Sequence, residues 1–164
     1  ASATVTRAVD DLSVPLSAFP SIASAVTMYA VYSQPHGHVT AAVLSHRGGD
    51  NNNRVEIETG SSTTSRPRGA ITTAGVSQMS QEIAAAAYVP GTFTAVALAA
   101  TTNDANVARD GTVGTTDTSV TMPSTTQFII GSRGGGVLVL NGHFKEIMVL
   151  PRRMTNAELQ ALTA

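Results

Sequence analysis

Cysteine and tryptophan are absent from this chain of 164 residues. Without cysteine the fold needs no disulfide, and the redox compartment cannot be read. Charge is scarce. Charged residues make up 13%, about half of the roughly 25% usual in globular domains. The formal net charge is −1, and only Arg152 and Arg153 are adjacent basic residues. Nothing favours counterion release from a nucleic acid, so none is expected as a partner. No apolar run reaches the ~18–20 residues of a membrane span, which argues against membrane insertion. No basic-then-apolar signal segment opens the chain at Ala1. The missing initiator Met suggests processing, or a domain cut from a longer chain. Aromatics are few as well, with three Tyr and four Phe.

What is present is apolar and small. Hydrophobic residues make up 42%, enough to bury a core, and the length fits one domain spanning 1–164. Thr, Ser, Ala and Gly fill the space left by charge. An uncharged polar surface of that kind accompanies extracellular and virion β-proteins.

Several stretches alternate as strands do. In "AVTMYAVYS", Val26, Met28, Ala30 and Tyr32 share one face. In "VTAAVLSH", Val39, Ala41 and Val43 do the same. "RVEIETG" puts Val55, Ile57 and Thr59 on one side and Glu56 and Glu58 on the other. Ser61 to Arg68 reads as a surface loop. Strands are expected near Gly75 to Met79 and Ile83 to Tyr88, then over "TFTAVALAATT", turned back by "NDAN". Asp110-Gly111 and Asn141-Gly142 are hairpin signals, because both turn positions need positive φ. "QFIIG" and "VLVLNGHFKEIMVL" are the last strands. The final one ends apolar on both faces, as a central strand does, or one covered on both sides at one end. Short strands at this spacing predict an antiparallel two-sheet sandwich.

After Pro151, Thr155 and Glu158 match the S/T-x-x-E capping box. Met154 and Leu159 stand where a hydrophobic staple would sit. The pattern predicts a helix of about two turns, with Leu159 and Leu162 facing the sandwich as a plug on its open edge or end.

The segment "FIIGS…LNGHFKEIMVLPRRMTNAELQALTA" resembles the C-terminal end of concanavalin A-like, or laminin G-like, domains. The chain is especially similar to versions in bacteriophage tail-fibre proteins. The matching residues are Thr6, Arg7 and Asp10; Asn53, Arg54 and Glu56; Asn103 and Asp104; Asp117, Thr118 and Ser119; and Pro151 to Thr163. The resemblance implies an all-β, antiparallel two-sheet jelly-roll sandwich with a short C-terminal α-helix. It also implies a virion or extracellular location, other virion proteins and a host surface polysaccharide or receptor as partners, and a homotrimer as one assembly to expect.

Glycosidases of this superfamily use clustered acids, and Glu56 with Glu58 is the minimal carboxylate pair. The denser E-x-D-x-E cluster is absent, so two solvated strand acids, paired with Arg54, are the plainer reading. No enzyme activity is expected. His36 and His38 could offer two metal ligands, but Pro35 and Gly37 mark a loop and a third ligand is missing. His46 and His143 read as lone surface or edge residues. "GSRGGG" at Gly131 to Gly136 lacks the G-K-[ST] ending of a phosphate loop and reads as a hairpin connection.

Laminin G-like domains often bind calcium at the rim, for which Asn103, Asp104 and Asp110 are the nearby oxygens. No full ligand pattern is visible, so no cofactor is expected. Phe93, Phe128 and Phe144 read as core residues, which leaves Tyr29, Tyr32 and Tyr88 for a sugar. The alternative is a polar ligand site of Asn53, Arg54, Asn103, Asp104 and Arg109. The expected function is non-enzymatic adhesion to host surface glycan by a tail-fibre or tail-tip module. The rivals are a purely structural decoration or capping module and a polysaccharide-degrading enzyme.

Overall fold

The computed structural model describes residues 12–18, 24–35, 40–60, 64–83 and 87–164. Its strands are β1 (Leu12–Pro15), β2 (Ala25–Ser33), β3 (Ala42–Arg47), β4 (Arg54–Glu58), β5 (Arg68–Thr73), β6 (Val76–Glu82), β7 (Thr94–Thr101), β8 (Asp104–Arg109), β9 (Thr112–Val113), β10 (Gln127–Ile130) and β11 (His143–Leu150). One helix, α1 (Asn156–Thr163), ends the chain, and a short 3-10 turn covers Leu16–Ala18. The strands form a six-stranded sheet, β1-β10-β3-β4-β5-β6, and a five-stranded sheet, β11-β2-β7-β8-β9, antiparallel throughout. This is the expected jelly-roll sandwich.

The core follows from alternation. Val26, Met28, Ala30 and Tyr32 of β2 are fully buried. They meet Val96 and Leu98 of β7, Val55 and Ile57 of β4, Ile71 of β5 and Phe128 of β10 in one cluster. Burying such side chains stabilises by about 1.5–3 kcal/mol each. The Asp110-Gly111 hairpin forms between β8 and β9, with φ of 45° and 75°.

Several expectations fail for physical reasons. In β3 a register irregularity between Ala42 and Leu44 moves the core phase from Val43 on to Leu44 and His46. His46 is therefore 1% exposed rather than on the surface. His143 is exposed. Residues 68–73, expected as the end of a loop and unassigned sequence, form β5 and pair with β4 and β6. Within the expected loop, Ser65 is buried. Ile83 and Tyr88 are buried but lie outside the strands, and residues 84–86 are outside the described set.

Asn141-Gly142 makes no hairpin. A Cβ on Gly142 would lie 2.1 Å from the Ser33 carbonyl oxygen, so the glycine serves close backbone approach. Val137 to Leu140 is not a strand, and the Gly131 to Gly142 segment crosses from β10 in one sheet to β11 in the other. β11 is an edge strand rather than a central one. Its last residues are covered on both sides, Ile147 and Val149 by the core and Met148 and Leu150 by the helix cluster.

The capping box forms as expected: Glu158 N donates to Thr155 Oγ1 at 3.2 Å and Thr155 N donates to Glu158 Oε2 at 2.7 Å. Met154 and Leu159 are buried together with Tyr29, Ala97, Ala99 and Ala108. The helix therefore lies on the outer face of the five-stranded sheet, over β7, β8 and β9, and does not plug an edge or end. Small alanines on that face admit it. Buried Thr27 holds the corner before it, donating to Arg152 O at 2.7 Å and accepting from Met154 N at 3.0 Å.

Candidate functional site

With Val55 and Ile57 turned into the core, β4 must turn Arg54, Glu56 and Glu58 to the outer side of the six-stranded sheet. The register sets Ser45 and Ala70 beside Glu56, and Ala42 and Arg68 beside Glu58. The two glutamates are not solvated. Both are 0% exposed, because guanidinium groups cover them.

Arg54 Nε donates to Glu56 Oε2 at 3.0 Å, as the sequence reading expected of that pair. Arg133 lies across the top and binds both oxygens of Glu56, with Nε 3.0 Å from Oε1 and Nη2 2.9 Å from Oε2. Its Nη2 also donates to Glu58 Oε1, and Arg68 Nε donates to Glu58 Oε2. Ser45 Oγ donates to Glu56 Oε1 at 2.8 Å. Burial pushes the Glu58 carboxyl above its usual range. Arg68 pulls it back by hydrogen bond and charge, and the neighbouring Glu56 raises it again. Three cations around two anions leave this lattice with one positive charge in excess.

Over β4, β5 and β6 runs a groove of about 340 Å³ lined by Asn51, Asn52, Arg54, Arg68, Thr72 and Ser77, among others, with Glu58, bound by Arg68 and Arg133, at its floor. Arg54 uses Nε on Glu56 and Nη1 on the Asn51 carbonyl, and Arg68 uses Nε on Glu58. Among the described residues, Nη2 of Arg54 and both terminal nitrogens of Arg68 have no partner. Free planar N–H pairs of this kind match a carboxylate or sulfate.

The residues chosen from sequence are spread over more than this groove. Asn53 Oδ1 accepts from Ala74 N at 3.1 Å, tying the β3–β4 turn to the β5–β6 turn. Asn103 has a φ of 59°, and its N donates to Val120 O at 2.8 Å. Thr73 Oγ1 donates to the next carbonyl, Thr121 O, at 2.6 Å. The "NNR" and "ND" turns therefore flank one segment at one end of the sandwich. Asp104 is held by Arg153 at 2.7 Å. Arg109 lies at the other end of β8, 5% exposed, bound to Thr94 Oγ1 and Asp110 Oδ2. Asp104 and Asp110 thus stand at opposite ends of one strand, and the three calcium candidates do not converge.

Among the described residues, Tyr32 and Tyr88 are buried away from any groove, Tyr29 is 5% exposed at the floor of a groove on the other sheet, and Phe93, expected in the core, is 54% exposed. Arg68 and Arg133 were missed by sequence reasoning. Arg68 had a usable signal, since it opens the alternating "RGAITT". Arg133 had none in its glycine-rich surroundings. His36, His38, Thr6, Arg7 and Asp10 lie outside the described residues.

No family model and no curated protein matches this sequence. Solved structures do share the fold. The NanB sialidase from Streptococcus pneumoniae superposes with a TM-score of 0.68 at 12% identity, over 93% of this chain and 27% of that one. A Trypanosoma rangeli sialidase gives 0.64 at 18%, over 85% of this chain and 22% of that one. The heptameric SAP-like pentraxin from Limulus polyphemus gives 0.64 at 14%, over 86% of this chain and 71% of that one. This chain therefore spans about a quarter of the sialidases it resembles. The likeness places it in the fold of lectin-type jelly-roll sandwiches.

Proposed function

We propose that this chain is a non-enzymatic adhesion module of a bacteriophage tail fibre or tail tip, binding host surface glycan of acidic type. The observation that carries the glycan reading is the groove beside Glu56 and Glu58, where Arg54 and Arg68 keep unpaired terminal N–H groups next to Asn51, Asn52 and Ser77. A carboxylate or sulfate can bind the free N–H groups of either guanidinium, while the amide and hydroxyl side chains meet sugar hydroxyls. Such a shallow site binds weakly, and several copies on one particle make the attachment effective. The phage assignment rests on the tail-fibre motifs in the sequence, above all "PRRMTNAELQALT".

The acid pair supports a non-enzymatic role. A general acid must reach the glycosidic oxygen, and a nucleophile the anomeric carbon. Glu56 and Glu58 are fully buried, and their oxygens already accept from Arg54, Arg68, Arg133 and Ser45.

An acidic-glycan array on the isolated domain tests this reading. The expected result is binding to uronic-acid or sulfated glycans that falls at least tenfold in an Arg54→Ala and Arg68→Ala double variant. A folded parent that binds none of them favours the structural decoration module instead.

A further inference from the structure

The opposite sheet carries a second groove, which the acidic-glycan reading does not use. It also measures about 340 Å³ and lies on the outer face of the five-stranded sheet, beside the end of α1. Tyr29 and Val31 of β2 and Ala95 of β7 line its floor, Phe93 forms one wall, and Lys145 and Glu146 of β11 stand at its edge. Its size is at the lower end of the range for small-ligand sites.

Phe93 is 54% exposed, an unusual place for a phenyl ring in a chain with so few aromatics. The segment just before it, Tyr88 to Thr92, is tied to Gln34. Buried Tyr88 anchors it, its hydroxyl accepting from Gln34 N at 2.6 Å and lying 3.0 and 2.9 Å from the Gln34 and Thr92 carbonyl oxygens, which share its one proton. Gly91 N adds a bond to Gln34 O at 2.8 Å. The Tyr88 ring stacks on Tyr32, 6.3 Å between centroids with planes 9° apart. The backbone that carries Phe93 to the groove is thus tied down by these bonds, which reduces the backbone ordering a ligand must impose.

The side-chain charges around the groove cancel, Lys145 against Glu146 and Asp110 against Arg109. Lys145 and Glu146 are exposed neighbours of opposite sign. Asp110 is already engaged, with Oδ2 bound by Thr94 Oγ1 and Arg109 Nε and Oδ1 by Ala95 N. The Tyr29 hydroxyl has no partner among the described residues.

We propose that this groove is a second sugar subsite, taking a neutral pyranose. The C–H face of the ring packs on Phe93, and its hydroxyls meet Tyr29, Lys145 and Glu146. Balanced charge and an aromatic wall select a neutral sugar here, whereas unpaired guanidinium groups select an anion on the other sheet. The two sites are independent, and either can fail alone.

The test is an NMR titration of the full chain with methyl α-glucopyranoside, methyl α-mannopyranoside and methyl β-galactopyranoside, following the Phe93 and Tyr29 ring resonances. At least one probe is expected to shift both rings. Phe93→Ala should weaken that binding about fivefold, and so should Tyr88→Phe, which keeps the wall but frees the loop. Arg54→Ala should leave it unchanged. The proposal is overturned if no probe moves the Phe93 ring, if Phe93→Ala titrates like the parent, or if methyl glucuronide binds the same groove equally well. Phe93 signals that change with protein concentration alone would assign this face to a second copy of the chain and also overturn it.

Discussion

Arg133 and Glu56, 77 residues apart in sequence, meet with the guanidinium edge against the carboxylate, Nε 3.0 Å from Oε1 and Nη2 2.9 Å from Oε2. The same Arg133 Nη2 reaches Glu58. One side chain from the loop that connects the two sheets thereby bridges two buried acids on β4, which Arg54 and Arg68 also bind. Burial alone would lower the pKa of Arg133, but its bonds to Glu56 and the fields of Glu56 and Glu58 outweigh that and raise it.

Removing Arg133 should therefore cost more than a surface residue would. Arg133→Met leaves Glu56 and Glu58 buried with one cation fewer, and breaking a buried pair from one side costs about 3–5 kcal/mol. Urea denaturation measures this. A triple variant with Glu56→Gln and Glu58→Gln should recover most of the loss. A loss below about 1 kcal/mol for Arg133→Met would show that the lattice is not a stabilising unit.

Stability should fall in mild acid because of His46. Burial lowers its pKa from 6.5 to about 4. Its Nε2 meets Thr125 Oγ1 at 2.8 Å, and Nδ1 has no partner among the described residues. The unfolded chain takes up a proton near pH 6.5 and the folded chain only near pH 4. The penalty is absent above pH 6.5 and grows as pH falls to 4, reaching about 3 kcal/mol at ~1.36 kcal/mol per unit. Glu58, with its raised pKa, acts in the opposite sense, since protonation relieves its burial. Melting temperatures across pH 7 to 4 should fall less steeply for His46→Gln than for the parent. Parallel curves would exclude His46 as the cause.

The C-terminal helix should be required for stability. Leu159 is fully buried, and Leu159→Ala should cost about 2–5 kcal/mol. Thr155→Ala, which removes the cap, should cost about 0.5–2 kcal/mol. Truncation after Pro151 uncovers Ala97, Ala99 and Ala108 and should lower the melting temperature more than either. An unchanged melting point in the truncated chain would refute the packing argument.

No hydrolysis of host polysaccharide is expected. Reducing-sugar release should stay at background over long incubation, and Glu56→Gln should change only stability. Turnover that disappears in a folded Glu56→Gln variant would reinstate the hydrolase reading.

The two turns at the groove end should differ in adhesion. Arg54→Ala should weaken binding to host cells, because Arg54 faces the groove. Asp104→Ala should leave it nearly unchanged, because Asp104 holds Arg153 beside the helix. Equal losses in the two variants, with melting points intact, would instead spread the site along the whole rim.

Local pattern was enough for much of the fold. Two-residue alternation set the inward faces of β2 and β4, and Asp110-Gly111 set its hairpin through positive φ. Thr155 and Glu158 set the helix start, since a capping box is completed within four residues. Each of these signals is satisfied by near neighbours in the chain, so the sequence carries it. What it could not carry is the partner across space. Asn141-Gly142 reads as a turn until the Ser33 carbonyl is seen to crowd it. His46 reads as a surface residue until a bulge in β3 shifts the phase by one. Glu56 and Glu58 read as solvated acids until Arg133 arrives from a distant loop. Burial, ion pairing and groove shape depend on long-range packing of two sheets, and tertiary structure alone decided them.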